Sequence, residues 1–316
     1  AGAGANRSAG SFVKEATFTI PGLDGFSQPV SLALPLTAMA SSLGQDFDGI
    51  IGSDFIEGFV VEVDYQTRTL TLHDKDEFNY SGQGEIVPIK LNGAGHPEIE
   101  AEVTPLGGSA VKGKFVVDMG SGLALALYSP FVRQRNLLNG LKTMPALGGR
   151  GAGGVVTGRL GRVAELKIGK YTIAQPITFF SEDQSGAFAI DSVLGNIGAQ
   201  IMARFRVFLD YSRSRLIVEP NARFAEPFDR AFAGFNLLAE GADYRTFRVA
   251  QIQPDSPATE ANLQQDDVLI AVDDKPASQM TLTTINQLFE RAASFKLTVR
   301  RKDQTVSLTL TTRRMI

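Results

Sequence analysis

An internal repeat constrains this chain more tightly than any single motif. Asp48-Gly49-Ile50-Ile51-Gly52 is followed by Phe59-Val60-Val61-Glu62-Val63-Asp64-Tyr65-Gln66-Thr67-Arg68-Thr69-Leu70. Later, Asp191-Ser192-Val193-Leu194-Gly195 is followed by Phe205-Arg206-Val207-Phe208-Leu209-Asp210-Tyr211-Ser212-Arg213-Ser214-Arg215-Leu216. Each copy has two apolar residues and a glycine, an apolar segment opened by Phe, an Asp-Tyr turn and a closing strand. A Gly-rich stretch leading into a strand precedes both, over residues 10–20 and 158–168. Two unrelated hairpins would not share this order, so the pattern reads as a duplication.

The copies are not equally complete. Ahead of its Gly-rich stretch the second contains Lys114-Phe115-Val116-Val117-Asp118-Met119-Gly120-Ser121-Gly122, and the first has no counterpart. Projecting the second copy's spacing onto the first places the equivalent of Asp118 roughly 25–30 residues before Ala1. The expectation is one whole lobe and part of another.

Short runs rich in β-formers and bounded by Gly, Pro or Asp dominate the first two thirds, among them Ala16–Ile20, Phe59–Val63, Thr69–Leu72 and Glu85–Ile89. Ser129 to Leu138 is the better helix candidate there. After a Pro-, Phe- and charge-rich stretch, strands at Phe247–Ile252 and Val268–Val272, a helix at Leu282–Arg291 and two alternating segments suit a small α+β domain. A net charge of −3 gives no footprint for nucleic acid, and no apolar run is long enough for a transmembrane helix. With no cysteine and only His73 and His96, thiol nucleophiles and cysteine-ligated zinc are excluded. Gly149-Arg150-Gly151-Ala152-Gly153-Gly154 fits a dinucleotide fingerprint by letter, but β-branched Val155-Val156-Thr157 follows where a helix would be needed.

An apolar strand delivering Asp into a loop of small residues is how aspartic proteases build their centre. Two such carboxylates face each other and share one proton, one accepting a proton from water while the other polarises the peptide carbonyl. Phe115-Val116-Val117-Asp118-Met119-Gly120-Ser121-Gly122, Phe47-Asp48-Gly49-Ile50-Ile51-Gly52-Ser53-Asp54-Phe55 and Val193-Leu194-Gly195-Asn196-Ile197-Gly198 together resemble the retropepsin-like aspartic proteases of bacteria that are fused to PDZ domains. The resemblance implies a mostly β fold: a two-lobed acid-protease β-barrel, its first lobe incomplete at the N-terminus, plus an α+β PDZ domain. It implies Asp118 as catalytic, Met119, Gly120, Ser121 and Gly122 as the active-site loop, and Ile50, Ile51, Gly52, Val193, Leu194 and Gly195 as bracing strands. Gly2, Gly4, Gly151 and Gly153 would belong to flaps closing over substrate. Met119 departs from the family's Thr or Ser, and no second Asp-Thr-Gly or Asp-Ser-Gly occurs in the chain.

From about Ala231 onward the chain resembles a PDZ domain, with Gly234, Phe235, Asn236 and Leu237 in the loop and strand that catch a peptide's terminal carboxylate. Asn262 and Asp266 stand where that family usually has Gly. The expected division is a first lobe at 1–82, a second at 83–220, a linker at 221–230 and the PDZ domain at 231–316. The function expected is an aspartic endopeptidase acting on peptides or unfolded proteins, without metal or cofactor, in the periplasm or secreted. Its second Asp would come from an N-terminal fragment of the same precursor or from a homodimer partner. The alternative is a non-catalytic peptide-binding protein with a degenerate protease core.

Overall fold

Short β-branched and aromatic runs broken by Gly, Asp and Pro fold as strands throughout most of the chain. The computed structural model describes residues 10–20, 23–33, 35–145, 150–151 and 154–316. It divides into two units, one of residues 50–144, 158–228 and 316, the other of residues 1–49, 145–157 and 229–315. The expected fold class, mostly β with a small α+β domain, is what the structure has. Among the described residues no helix is long and apolar enough to cross a membrane.

In chain order, β1 (Ser11–Ile20) and β2 (Leu23–Ala33) form an antiparallel hairpin, and α1 (Thr37–Leu43) follows. Gly44 closes α1 with a left-handed φ of 72° and an N–H donated to the Ala40 carbonyl. Then come α2 (Ser53–Ile56), β3 (Phe59–Asp64), β4 (Thr69–Asp74), β5 (Glu85–Leu91), β6 (Pro97–Thr104), β7 (Val111–Asp118), β8 (Leu125–Leu127), α3 (Ser129–Gln134) and β9 (Met144–Pro145). β10 (Arg150–Gly151) and β11 (Gly154–Val155) pair with each other. The second copy continues with β12 (Gly158–Arg162), β13 (Glu165–Ile168), β14 (Tyr171–Ala174), β15 (Ile177–Ser181), β16 (Gly195–Gly198), α4 (Ala199–Met202), β17 (Phe205–Asp210) and β18 (Arg215–Pro220). One sheet runs β4-β3-β17-β18-β5-β6-β7-β16-β8-β15-β12-β9, with β13 and β14 joined to it through β6.

The repeat is visible in the pairing itself. Aligning Phe59 on Phe205 makes Phe208 the counterpart of Glu62, and these two residues lie opposite each other where β3 and β17 pair antiparallel. On either side, Val61 faces Leu209 and Val63 faces Val207, each the counterpart of the other's partner. The two copies therefore meet about a local twofold axis. Their turns match as well. Asp64 Oδ1 accepts the N–H groups of Gln66 and Thr67 at 2.8 and 3.2 Å, and Asp210 Oδ1 accepts that of Arg213 at 3.2 Å. Arg68 and Ser214, at equivalent positions, both turn left-handed with φ of 58° and 50°.

Burial separates the copies: Asp210 is fully buried, whereas the Asp64 turn is exposed. Burial works against the Asp210 carboxylate, but hydrogen bonds from Ser212 Oγ and Arg215 Nε, both at 2.7 Å, and from the Arg213 amide outweigh it and hold its pKa below the ordinary value.

In the other unit, β19 (Phe235–Glu240), β20 (Thr246–Ile252), α5 (Pro257–Glu260), β21 (Val268–Val272), β22 (Lys275–Pro276), α6 (Leu282–Phe289), β23 (Ser294–Arg301) and β24 (Gln304–Thr311) follow one another. The sheet order is β19-β20-β21-β23-β24. α6 starts at Thr281, whose Oγ1 accepts the Thr284 N–H at 3.0 Å, and it buries Leu282, Ile285 and Phe289 along one stripe. These pack with Phe247, Val249, Leu297, Val299 and Leu310. Asn262 and Asp266 take φ of 57° and 67°, the conformation glycine adopts most cheaply.

Because the folded pKa of Asp210 lies below the unfolded one, its contribution to stability is complete above the unfolded value. It is lost as pH falls through the acid range below about 4. Asp210→Ala is expected to cost about 3 kcal/mol in urea unfolding at neutral pH, by stranding Arg215, and to flatten the acid limb of the stability–pH curve.

Candidate functional site

β7 brings Phe115, Val116 and Val117 to the core, all buried, and releases the chain at half-buried Asp118. The loop that follows joins β7 to β8, and β16 is inserted between those two strands. It runs parallel to β7, with Gly195 beside Phe115 and Gly198 beside Asp118, and antiparallel to β8, with Ile197 beside Leu125. The insertion is tight enough to require glycine. A Cβ at Gly195 would collide with the Ala126 carbonyl, and one at Gly198 with the Leu123 carbonyl.

From this position β16 and α4 clamp the loop from behind. Gly198 N donates to Ala124 O at 2.9 Å, Ala199 N to Ser121 O at 2.9 Å, and Gln200 N to Leu123 O at 3.2 Å. Gln200 Nε2 adds a bond to Gly122 O at 2.7 Å. Within the loop, Asp118 Oδ1 accepts the N–H groups of Gly120 and Ser121, each at 3.1 Å. On the other side of the carboxylate, Asn196 Nδ2 lies 3.4 Å from Oδ2. Asn196 is 2% exposed, and its Oδ1 has no hydrogen-bond partner among the described residues. Nearby, burial, reinforced by the charges of Asp118 and Glu98, pushes the Tyr128 hydroxyl well above its usual pKa. Met119 is half-buried, while Gly120 and Gly122 are exposed.

The residues anticipated from sequence fall into distinct groups. Asp118, Met119, Gly120, Ser121 and Gly122 form one loop at the end of β7, whereas Gly195 lies at the other end of β16 beside Phe115, and Val193 and Leu194 lead into that strand, Leu194 exchanging backbone bonds with Lys114 O and Tyr128 N at 2.8 and 2.9 Å. Gly52 and Gly198 occupy matching places: each caps a short helix from an extended conformation, with φ, ψ of −113°, −166° and −98°, −176°. The counterpart of Gly52 is therefore Gly198, not Gly195. Val-Leu-Gly-Asn-Ile-Gly offers glycine twice, and the pattern alone cannot choose between them. Ile50 and Ile51 differ sharply from their counterparts Asn196 and Ile197. Both are 66% exposed, and residues 46–52 form no strand. Gly2, Gly4 and Gly153 lie outside the described residues, while Gly151 pairs with Gly154 in the β10–β11 ribbon. Asn196 and Gln200 carried no signal in sequence, since their partners are an acid and a carbonyl distant along the chain. Among the described residues no cluster of His, Cys, Asp or Glu is disposed to hold a metal.

In the C-terminal unit, Gly234 turns left-handed at φ 82° ahead of β19, its carbonyl accepting the Gln253 N–H at 2.8 Å. A Cβ there would strike Ser256. Phe235, Asn236 and Leu237 open β19, whose only strand neighbour among the described residues is β20. Val249 donates to Asp267 O at 2.8 Å and accepts from Asp266 N at 2.9 Å, so both its backbone groups serve the β21 side. By the alternation of antiparallel pairs, Leu237 (opposite Val249) and Ala239 (opposite Phe247) turn theirs to the outer edge.

Residues 248–301 match the PDZ domain family. The chain carries a PDZ domain. Its solved likenesses include the PDZ domain of HtrA3 bound to a phage-derived ligand, at 16% identity over 27% of this chain and 86% of that one, with a TM-score of 0.24. A retropepsin-like aspartic protease from Rickettsia conorii is 20% identical over 45% of this chain and 95% of its own, at a TM-score of 0.30. The HtrA-type protease AlgW with decapeptide is 14% identical over 98% and 97%, at 0.28. No curated protein matches the chain. Within this domain α6 packs against β19, the Phe289 and Phe235 rings lying 5.5 Å apart, and the Gly234 turn lies at the start of that strand.

Gly198→Val is expected to lower stability by at least about 2 kcal/mol, because the clash is with backbone and the loop can relieve it only by leaving β16. Thermal unfolding measures the loss. Gln200→Ala, which removes one bond to an exposed glycine, should cost about 1 kcal/mol or less.

Proposed function

We propose that the chain belongs to an aspartic endopeptidase in which Asp118 supplies one of two catalytic carboxylates. The observation that supports this reading is the Asp118 loop: a half-buried carboxylate at the end of a buried strand, oriented by two backbone amides and clamped by β16 and α4. Such rigidity suits a group that must meet a water molecule at fixed geometry. In a pair of this kind one carboxylate takes a proton from the attacking water as its oxygen bonds to the peptide carbonyl carbon. The other carboxyl gives its proton to the carbonyl oxygen. As the tetrahedral gem-diol collapses, the first carboxyl passes its proton to the leaving amine and the second carboxylate takes back a hydroxyl proton, which restores the shared-proton state.

The second carboxylate is assigned to a loop equivalent to residues 118–122, contributed to the first copy from upstream of Ala1 or by a second molecule. The exposed Ile50 and Ile51 support this assignment. In the second copy the equivalent positions are covered by β7 and β8, and an Asp-bearing loop seated on the first copy would cover them in the same way. The PDZ domain is read as a peptide-capturing module that brings unfolded chains to the core. The same resemblance to exported bacterial proteases suggests a periplasmic or secreted setting.

One observation favours a second reading, a peptide-binding protein without catalysis: Met119 brings a thioether where a hydroxyl could tie two active-site loops together. Cleavage of fluorescently labelled, unfolded casein separates the readings, using precursor that includes upstream residues and, separately, residues 1–316 across a concentration series. Asn at position 118 keeps the oxygen that accepts from Gly120 and Ser121, so Asp118→Asn should fold normally. Its kcat/KM is expected to fall by about 10²–10⁴-fold. Equal rates for precursor and Asp118→Asn would refute the role given to Asp118. A rate per molecule that climbs with concentration for residues 1–316 would assign the second loop to a partner copy.

A further inference from the structure

Among the described residues strand β19 has one strand partner, and its outer edge carries the N–H and C=O groups of Leu237 and Ala239. An extended peptide bound beside an edge strand uses those groups. Ala239 is nonetheless 0% exposed. What covers the edge is α1. Ser41 Oγ donates to Ala239 O at 2.6 Å, and Ala40 is 1% exposed. One turn further on, Gly44 lies so close to α6 that a Cβ added to it would stand 2.5 Å from Leu282 Cβ. α1 thus touches β19 and the start of α6 together.

The sequence of α1 suits that seat. Ala40, Ser41 and Gly44 share one face of the helix, all small, and allow its backbone to approach the strand edge. Leu43, at the side of that face, is 50% exposed. The helix is seven residues long, too short to persist by itself in water, so its structure depends on this contact.

We infer that α1 is an internal occupant of the peptide groove of the PDZ domain, and that an extended peptide enters only when α1 withdraws. The Ala239 carbonyl cannot be bonded by Ser41 and by a peptide strand in register, and the space next to Leu282 is filled by Gly44. The groove is therefore self-blocked, and its apparent affinity for any peptide is reduced by the fraction of molecules in which α1 is seated. The inference rests on the peptide-binding reading of the PDZ domain and is independent of the role of Asp118.

Amide hydrogen exchange on the full chain tests the blockade. In the native protein the Leu237 and Ala239 amides are expected to be protected. Ala40→Asp, which places a charge at a buried position of α1, should speed exchange at both by about 10-fold or more while Leu297 and Val299 in the core stay protected. Ser41→Ala, a milder change that adds no charge, should speed it by about 2–10-fold, the worth of one hydrogen bond. Equal exchange at Leu237 and Ala239 in all three proteins would overturn the inference. In parallel, fluorescein-labelled pentapeptides randomised at their last three residues are titrated as free acids and as C-terminal amides. Tighter binding of the free acids by both variants than by the native chain supports the blockade. Binding as tight to the native chain overturns it. Opened edges with no peptide binding to any of the three would leave the blockade standing and remove the peptide-binding reading.

Discussion

The threading of β16 between β7 and β8 is the constraint from which the candidate site follows. Three strands share a space that admits no side chain at Gly195 or Gly198, so backbone meets backbone and the hydrogen bonds fall where a loop would otherwise be free. The middle of the loop, Gly120-Ser121-Gly122, contributes almost no apolar surface of its own. Its order comes from outside, through Gly198, Ala199 and Gln200. Asp118 inherits that order: its carboxylate is fixed by amides that are themselves fixed by the strand behind them. A carboxyl can in this way sit at the edge of the solvent and still hold a single orientation.

The first copy has the same helix-capping glycine but not the same surroundings. Gly52 and Gly198 share a backbone conformation, yet Ile50 and Ile51 face solvent where Asn196 and Ile197 are enclosed. In the first copy the preserved cap is flanked by two adjacent, exposed isoleucines rather than by an enclosed strand. This asymmetry was legible in the sequence as a missing counterpart of residues 114–122. Its structural form, an open apolar step, was not, since exposure depends on what is packed alongside.

What the sequence disclosed depended on how local the cause was. The Asp-Tyr turns of Asp64 and Asp210 were readable because an Asp side chain bonds amides two or three residues on. The capping of α6 by Thr281 and its buried stripe are equally local. Which glycine matches Gly52 was not readable, because the pattern offers Gly195 and Gly198 alike and only their neighbours in the sheet distinguish them. Asn196 and Gln200 acquire their roles from Asp118 and Gly122, both far away in the chain. α1 was the least legible element. Thr37-Ala38-Met39-Ala40-Ser41-Ser42-Leu43 has no apolar stripe, since the face it buries is made of small residues chosen for proximity rather than hydrophobicity. Nothing in that segment announces the strand edge it covers.

The pairing of β3 with β17 bears on the history of the chain. A strand that meets its own counterpart in a self-complementary register is the interface of a C2 dimer, reproduced inside one polypeptide. One repeat unit by itself would expose that edge, and a second identical molecule could cover it without any change in sequence. Within one polypeptide the halves need not be identical: acidic Glu62 lies opposite apolar Phe208, and Asp210 is buried while the Asp64 turn stays in water.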